Sequence, residues 1–296
     1  MRKRGRKKKG TKKGTFLFFN TNCFAGKNRN VPFFFAGKNR NVPFFSVLLI
    51  VLVLLYPGLT AGNDVLSGKE IMESSFNRDD GRDAYFKIEM TLVDKSGSER
   101  KRSLEIYTRD YDNLIKTFIK FTAPADIAGT AFLSWENAPG EDTQYLYLPA
   151  LGRPRRIVSS QKNLSFVNTD FTYEDMQRRN PDKDEHTFIR EDYFDARPCY
   201  VIESKPKDNS QYSRRVSWVD KESRVIIRID FYDKKGDILK VFKVTHLDKR
   251  DGIWTAVRTT MENLKEKHLT RMRVVEARYN QGLADEIFTL RNMEGQ

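Results

Sequence analysis

Residues 85–92 read Tyr-Phe-Lys-Ile-Glu-Met-Thr-Leu, and the period of two in this stretch decides the fold class. Phe86, Ile88, Met90 and Leu92 fall on one side of an extended chain, and Tyr85, Lys87, Glu89 and Thr91 on the other. Successive side chains of a strand point to opposite faces of a sheet, so this is a strand with one dry face and one wet face. Asp94-Lys95-Ser96-Gly97 supplies a turn, and Leu104 and Ile106 resume the alternation in a partner strand.

Runs of the same kind recur downstream. Strands are expected over residues 113–122, 130–135, 143–148 and 155–159. A polar stretch, helical or looped, comes next. Further strands are expected over 186–193, 199–205, 215–219, 224–232, 239–247, 254–261 and 270–277, with a short segment at 283–290. Lys234-Lys235-Gly236-Asp237 and Arg250-Asp251-Gly252 carry the turn chemistry of hairpins. Upstream, the spacing of Ile71, Met72 and Phe76 predicts a short helix over 64–76. About a dozen strands with few helices make the chain mainly β, a large antiparallel sheet either strongly curved or closed into a barrel. Strands alternating with long helices, as in nucleotide-binding α/β domains, are absent from the pattern.

The N-terminal part reads differently. Residues 1–62 hold 13 of the 53 Lys and Arg and no Asp or Glu. The remaining 40 basic residues are matched by 40 acidic ones, so the formal charge of +13 lies wholly in this leader. A folded domain without net charge lacks the standing positive field that nucleic-acid binding needs, and no nucleic-acid partner is expected. Phe44 to Tyr56 is an apolar run behind a basic region and ahead of Pro57-Gly58-Leu59-Thr60-Ala61-Gly62. That order is the order of a cleaved secretory signal peptide, with periplasmic export as its consequence. An uncleaved inner-membrane anchor is the lesser alternative, since a bilayer span needs about 20 residues. Phe24–Phe34 recurs unchanged as Phe35–Phe45, an 11-residue tandem duplication too short for a repeat architecture. Translation is expected to begin downstream, at a non-Met codon such as that of Val31. Residues 63–296 are then expected to form a single β domain. Its one cysteine, Cys199, has no partner for an internal disulfide and is expected to be a buried small hydrophobe.

Catalytic chemistry is thinly represented. His186, His246 and His268 each lack a second ligand at metal-binding spacing, no Gly-x-Ser-x-Gly elbow occurs, and no glycine loop suited to phosphate appears. No metal, no cofactor and no enzymatic activity are expected. Asp170, Glu174 and Asp175 form an acidic cluster that suits acid–base work or calcium, and suits equally a helix start capped by Thr172 or Asp170. Aromatic residues are dense from Phe118 to Tyr173, among them Phe132, Trp135, Tyr145, Phe166 and Phe171. Such a set either fills a core or lines an apolar cavity under a helical cover. Gly152-Arg153-Pro154-Arg155-Arg156 is a basic run that suits a headgroup or partner contact, or an ordinary exposed loop.

Four stretches carry a family resemblance: Gly129-Thr130-Ala131-Phe132-Leu133-Ser134-Trp135; Gln144 to Arg153 (Gln-Tyr-Leu-Tyr-Leu-Pro-Ala-Leu-Gly-Arg); Arg155-Arg156-Ile157; and Asp170-Phe171-Thr172-Tyr173-Glu174-Asp175. They resemble the outer-membrane lipoprotein-sorting protein family, relatives of the periplasmic lipoprotein carrier LolA. The resemblance implies an incomplete, half-open antiparallel barrel of LolA/LolB type, covered by short helices, with an apolar interior that accepts acyl chains. It also implies a soluble periplasmic protein without cofactor, sometimes working beside an RND-type exporter. On this basis Trp135, Tyr145, Phe166, Phe171 and Tyr173 are expected to line the lipid cavity or its lid. Arg153, Arg155 and Arg156 are expected to contact a headgroup or a partner. The partners implied are lipoprotein or lipid acyl chains, handed over by a monomer to an inner-membrane exporter or an outer-membrane acceptor. A non-catalytic interaction or sensor module, or an accessory subunit of an exporter, is the alternative.

Overall fold

The computed structural model describes residues 66–295 except 113 and 139, all within the unit Asn63–Gln296. The leader, its duplication and its apolar run lie outside the described residues. Helix α1 spans Gly68–Phe76, starting later than the spacing of its apolar residues suggests. Ser67 caps it: its hydroxyl accepts from the Glu70 amide while the Glu70 carboxylate accepts from the Ser67 amide, a reciprocal pair that sets where the helix begins.

Thirteen strands follow. They are β1 (Asp83–Val93), β2 (Glu99–Tyr111), β3 (Leu114–Ala123), β4 (Ala131–Trp135), β5 (Thr143–Leu148) and β6 (Arg153–Ile157), then β7 (Asp184–Phe194), β8 (Arg197–Pro206), β9 (Arg214–Asp220), β10 (Ile226–Tyr232), β11 (Ile238–Arg250), β12 (Ile253–Asn263) and β13 (His268–Tyr279). The segment expected at 283–290 is a one-turn 3-10 helix, Asp285–Phe288, followed by the short helix α2 (Leu290–Met293).

All thirteen strands form one antiparallel sheet in the order β6-β5-β4-β3-β2-β1-β13-β12-β11-β10-β9-β8-β7, an incomplete barrel whose two ends do not pair. It consists of two meanders welded through β1 and β13, from Ala84↔Tyr279 to Val93↔Leu269. Hairpins build each meander locally, whereas the weld joins residues nearly two hundred positions apart, so nothing in local sequence announces it. The edges are β6 and β7, which are consecutive in the chain. The connection between them must therefore travel across one face of the sheet, here called the inner face.

That crossing connection closes the core over the first meander. Ile88, Met90, Leu92, Leu104, Ile119, Phe121 and Phe132 form an apolar floor, and Phe166 and Tyr173 of the crossing segment press onto it. The Phe166 ring meets Phe132 edge-on at 5.1 Å and Tyr173 at 5.8 Å. At the tip of this turn Val167 takes a φ of +48°, a conformation that β-branched residues rarely adopt. Arg102 Nη1 holds it by donating to the Val167 carbonyl at 2.6 Å. On the second meander Ile71 of α1 packs against Ile202 and Val219. Cys199 lies wholly buried on the opposite face with Val201 and Trp218, and burial pushes its thiol up to about 11.

Because Phe166 fills space over the floor and does not border an opening, truncating it should leave a void. Phe166→Ala should destabilise the domain by about 3–5 kcal/mol. Val158→Ser, at a position 51% exposed, should stay within about 0.5 kcal/mol. Urea denaturation of the two variants measures the contrast.

Candidate functional site

The crossing segment, residues 158–183, is apolar where it meets the first meander and acidic where it meets the second. Asp170 accepts from Thr270 Oγ1 at 2.7 Å and contacts His268 Nδ1 at 2.7 Å. Glu174 accepts from the Ser210 hydroxyl and from the Gln211 amide. Asp175 accepts from Lys240 Nζ at 2.5 Å, from the Tyr212 hydroxyl at 2.8 Å and from the Thr172 amide at 2.7 Å. Burial, with Asp175 alongside, pushes the Tyr212 phenol well above its ordinary range, so it stays a donor. Thr172 does cap a single turn through Asp175, as the spacing suggests, but the chain does not continue as a helix. The acids serve chiefly to fasten the crossing segment to β11, β13 and the loop before β9.

Between these fastenings and the sheet lies a cavity of about 520 Å³, within the roughly 300–1,000 Å³ of pockets that take small organic ligands. Ile229, Phe231, Phe242 and Met261 form its apolar floor, with Phe171 from the crossing segment. Met72 and Phe76 of α1 form part of its roof. Arg178 ties the roof together: its Nη2 donates to the Phe76 carbonyl at 2.7 Å, and its guanidinium stacks on the Phe76 ring at 3.7 Å.

One end of the cavity is polar. Asp184 is almost fully buried and is gripped by Arg179 through Nε at 2.9 Å and Nη2 at 2.6 Å, and by Arg215 Nη2 at 2.9 Å. His186 sits beside them with both ring nitrogens engaged, Nδ1 to Ser204 Oγ at 2.8 Å and Nε2 to the Pro181 carbonyl at 2.9 Å. A carbonyl only accepts, so Nε2 carries the proton and Nδ1 receives the Ser204 hydroxyl. Burial holds the His186 pKa below its ordinary value, in keeping with this neutral form.

The residues expected at the site separate into three groups. Phe171 lines the cavity. Phe166 and Tyr173 belong to the packed core over the first meander, adjoining the site through the same segment. Trp135 and Tyr145 lie on the outer face, correcting the expectation that they share a cavity with Phe171. Trp135 lies three positions after Phe132, an odd offset, so the two point to opposite faces of β4, and Tyr145 pairs with outward Leu133. There Trp135 Nε1 donates to the Phe288 carbonyl at 3.1 Å, under the C-terminal turn. Arg153, Arg155 and Arg156 stand exposed on edge strand β6, with Pro154 among them. Charge and proline on a free edge discourage pairing with a further strand.

The spacing of its apolar residues predicts helix α1, but neither its place over this cavity nor the Arg179–Asp184–Arg215 group. One signal was available for Arg215 and Ser217. They share a parity within β9 with Val219, where a largely buried charge and a buried hydroxyl on the inner face stand out.

Comparison with known proteins places this architecture. A family model described only as that of an uncharacterized protein matches residues 114–295. A DUF1329 family protein from Desulfovibrio piger is 31% identical over 76% of this chain and 97% of its own, with a TM-score of 0.72. A putative outer membrane lipoprotein-sorting protein domain from Vibrio parahaemolyticus is 29% identical over 77% of this chain and 98% of its own, with a TM-score of 0.73. A LolA superfamily protein from Nitrosomonas europaea is 19% identical over 77% of this chain and 99% of its own, with a TM-score of 0.62, a likeness of fold. No curated protein matches the chain.

The buried Lys240–Asp175 pair should be costly to break and cheap to replace. Lys240→Met alone should destabilise by about 3–5 kcal/mol, and Lys240→Met with Asp175→Leu by clearly less than the two single losses together. A double-mutant cycle in urea reads this directly. His186, held below its unfolded value, favours the folded state fully above about pH 6.5 and loses that contribution as pH falls through its folded pKa. An NMR titration should place its midpoint below 6.5, and His186→Gln should flatten the acid limb of the stability curve.

Proposed function

The chain belongs to the DUF1329 family, and from that premise we propose that it is a non-catalytic carrier, holding the acyl part of a lipid or lipoprotein in the cavity beneath α1. The cavity itself supports this most directly: an apolar floor of sheet residues under a roof made by one short helix and one crossing strap. A packed domain has little reason to leave a 520 Å³ space between its sheet and its cover. Each methylene moved there from water contributes about 0.8 kcal/mol, enough to retain a chain without covalent chemistry. The unclosed LolA-like sheet suits the reading, since an open barrel admits a ligand that a closed one of this kind would exclude.

Release follows from how the roof is held. Helix α1 is short and capped at its start, and it is fastened at its end chiefly through the Arg178 contacts to Phe76. Such an element opens at lower cost than the sheet beneath it. The carrier works in the periplasm, where the signal-like leader would deliver it. It hands its cargo to a membrane partner, an RND-type exporter or an outer-membrane acceptor, with exposed Arg153, Arg155 and Arg156 offering the contact surface.

Phe171 is the residue whose replacement separates binding from folding, because it borders the cavity and is only half-buried. Phe171→Asp should weaken displacement of a bound fluorescent fatty-acyl probe by about tenfold or more, since a carboxylate on the floor must be desolvated by the incoming chain. Its urea midpoint should stay close to that of the parent. Undiminished affinity in a folded Phe171→Asp variant would contradict the assignment.

A further inference from the structure

The polar end of the cavity is rich in donors and short of acceptors. The Arg215 side chain is 11% exposed, and of its three nitrogens only Nη2 is hydrogen-bonded, to Asp184. Its Nε and Nη1 have no partner among the described residues. Ser217 lies two residues along β9 on the same face, about 7 Å further at the strand rise, and its hydroxyl makes no hydrogen bond either. Gln177 also lines the cavity, and its Nε2 is buried without an acceptor. A buried donor left without a partner costs about 1–3 kcal/mol, and Gln177 Nε2, beside the unbonded Arg215 nitrogens and Ser217 hydroxyl on the same lining, marks a place where something else accepts.

The carboxylates facing the same space are already committed. Asp184 is shared by Arg179 and Arg215, Glu174 receives Ser210 and Gln211, and Asp175 receives Lys240 and Tyr212. Asp80, toward the α1 end, is 4.0 Å from Arg78. Asp208 binds Arg179 at 2.7 Å from the exposed side, with its side chain 48% exposed. His186 is spent on Ser204 and Pro181. Asp184 meets only the Nη2 of Arg215, and none of the others hydrogen-bonds its Nε or Nη1.

Resting on the carrier reading, we infer that the cavity takes a long-chain carboxylate headgroup-first, with the carboxylate received by Arg215 and Ser217 and the chain lying over Ile229, Phe242, Met261 and Phe171. One carboxylate oxygen can take a free Arg215 N–H and the other the Ser217 hydroxyl, a charge-assisted pair shared between two side chains on one face of β9. The cargo is then a free single-chain acid whose charged end is buried. A lipoprotein, whose acyl chains enter tail-first and whose peptide stays outside, would leave these donors empty.

Displacement of a fluorescent fatty-acyl probe by palmitate and by methyl palmitate tests this on the purified protein. Palmitate should compete at least about tenfold better than its ester, the worth of a charge-assisted hydrogen-bond pair. Arg215→Met should abolish that preference, and Ser217→Ala should reduce it. Equal competition by acid and ester in the parent protein, or a preference that survives in both variants, would overturn the inference and leave the carrier reading standing. Failure of both compounds to displace the probe would overturn both readings. Should Arg215→Met fail to fold, the parent comparison and Ser217→Ala still decide.

Discussion

The structure turns on one topological obligation: the chain finishes its first meander at one edge of a thirteen-stranded sheet and must begin its second at the other. The segment between Ile157 and Asp184 has to cross the inner face, and backbone laid over an apolar face must find partners for its polar groups. It does so in two ways. Over the first meander it turns back on itself, with the Phe166 amide donating to the Phe171 carbonyl, and drives Phe166 and Tyr173 into the floor. Over the second it is carried on charged and hydroxyl contacts at Asp170, Glu174, Asp175 and Arg179. An apolar anchor fills the space beneath it, whereas a polar suspension holds the strap away from the sheet. The cavity lies under the suspended half, and α1 completes its cover.

This division explains why the strands were legible and the site less so. Alternation in residues 85–92, the hairpin turns and the apolar runs report each strand's own surroundings, and local chemistry is enough to read them. The weld of β1 to β13 depends on both meanders existing first, and no local signal encodes it. Face assignment failed for Trp135 and Tyr145 because density of aromatics was taken across strands without counting parity within them. Counted from Phe132, Trp135 falls on the outer face. The acids of the crossing segment were visible, but a capping turn and an anchoring network share the same residue types. Only the positions of Lys240, Tyr212 and His268, far away in sequence, distinguish them.

Buried ionic groups are seldom the cheapest way to stabilise a domain, and an apolar strap would hold the sheet more tightly. The polar suspension is better understood as the device that fixes the strap in one place while keeping it clear of the floor. It leaves room for a guest and gives one end of that room a distinct chemistry. The roof is held differently at its two ends, because α1 seats Gly68 and Ile71 on β7 to β9 while Phe76 at its far end is tied by Arg178. Strap and helix together enclose the space, the strap along its back and α1 over one side.

The central claim is that the space beneath the strap holds a lipid in the working protein. Native mass spectrometry of the protein purified from its own cells tests it most directly. The account predicts discrete adducts of lipid mass that vanish on delipidation and return when lipid is added. A bare protein mass that takes up neither fatty acid, phospholipid nor lipopeptide would contradict it.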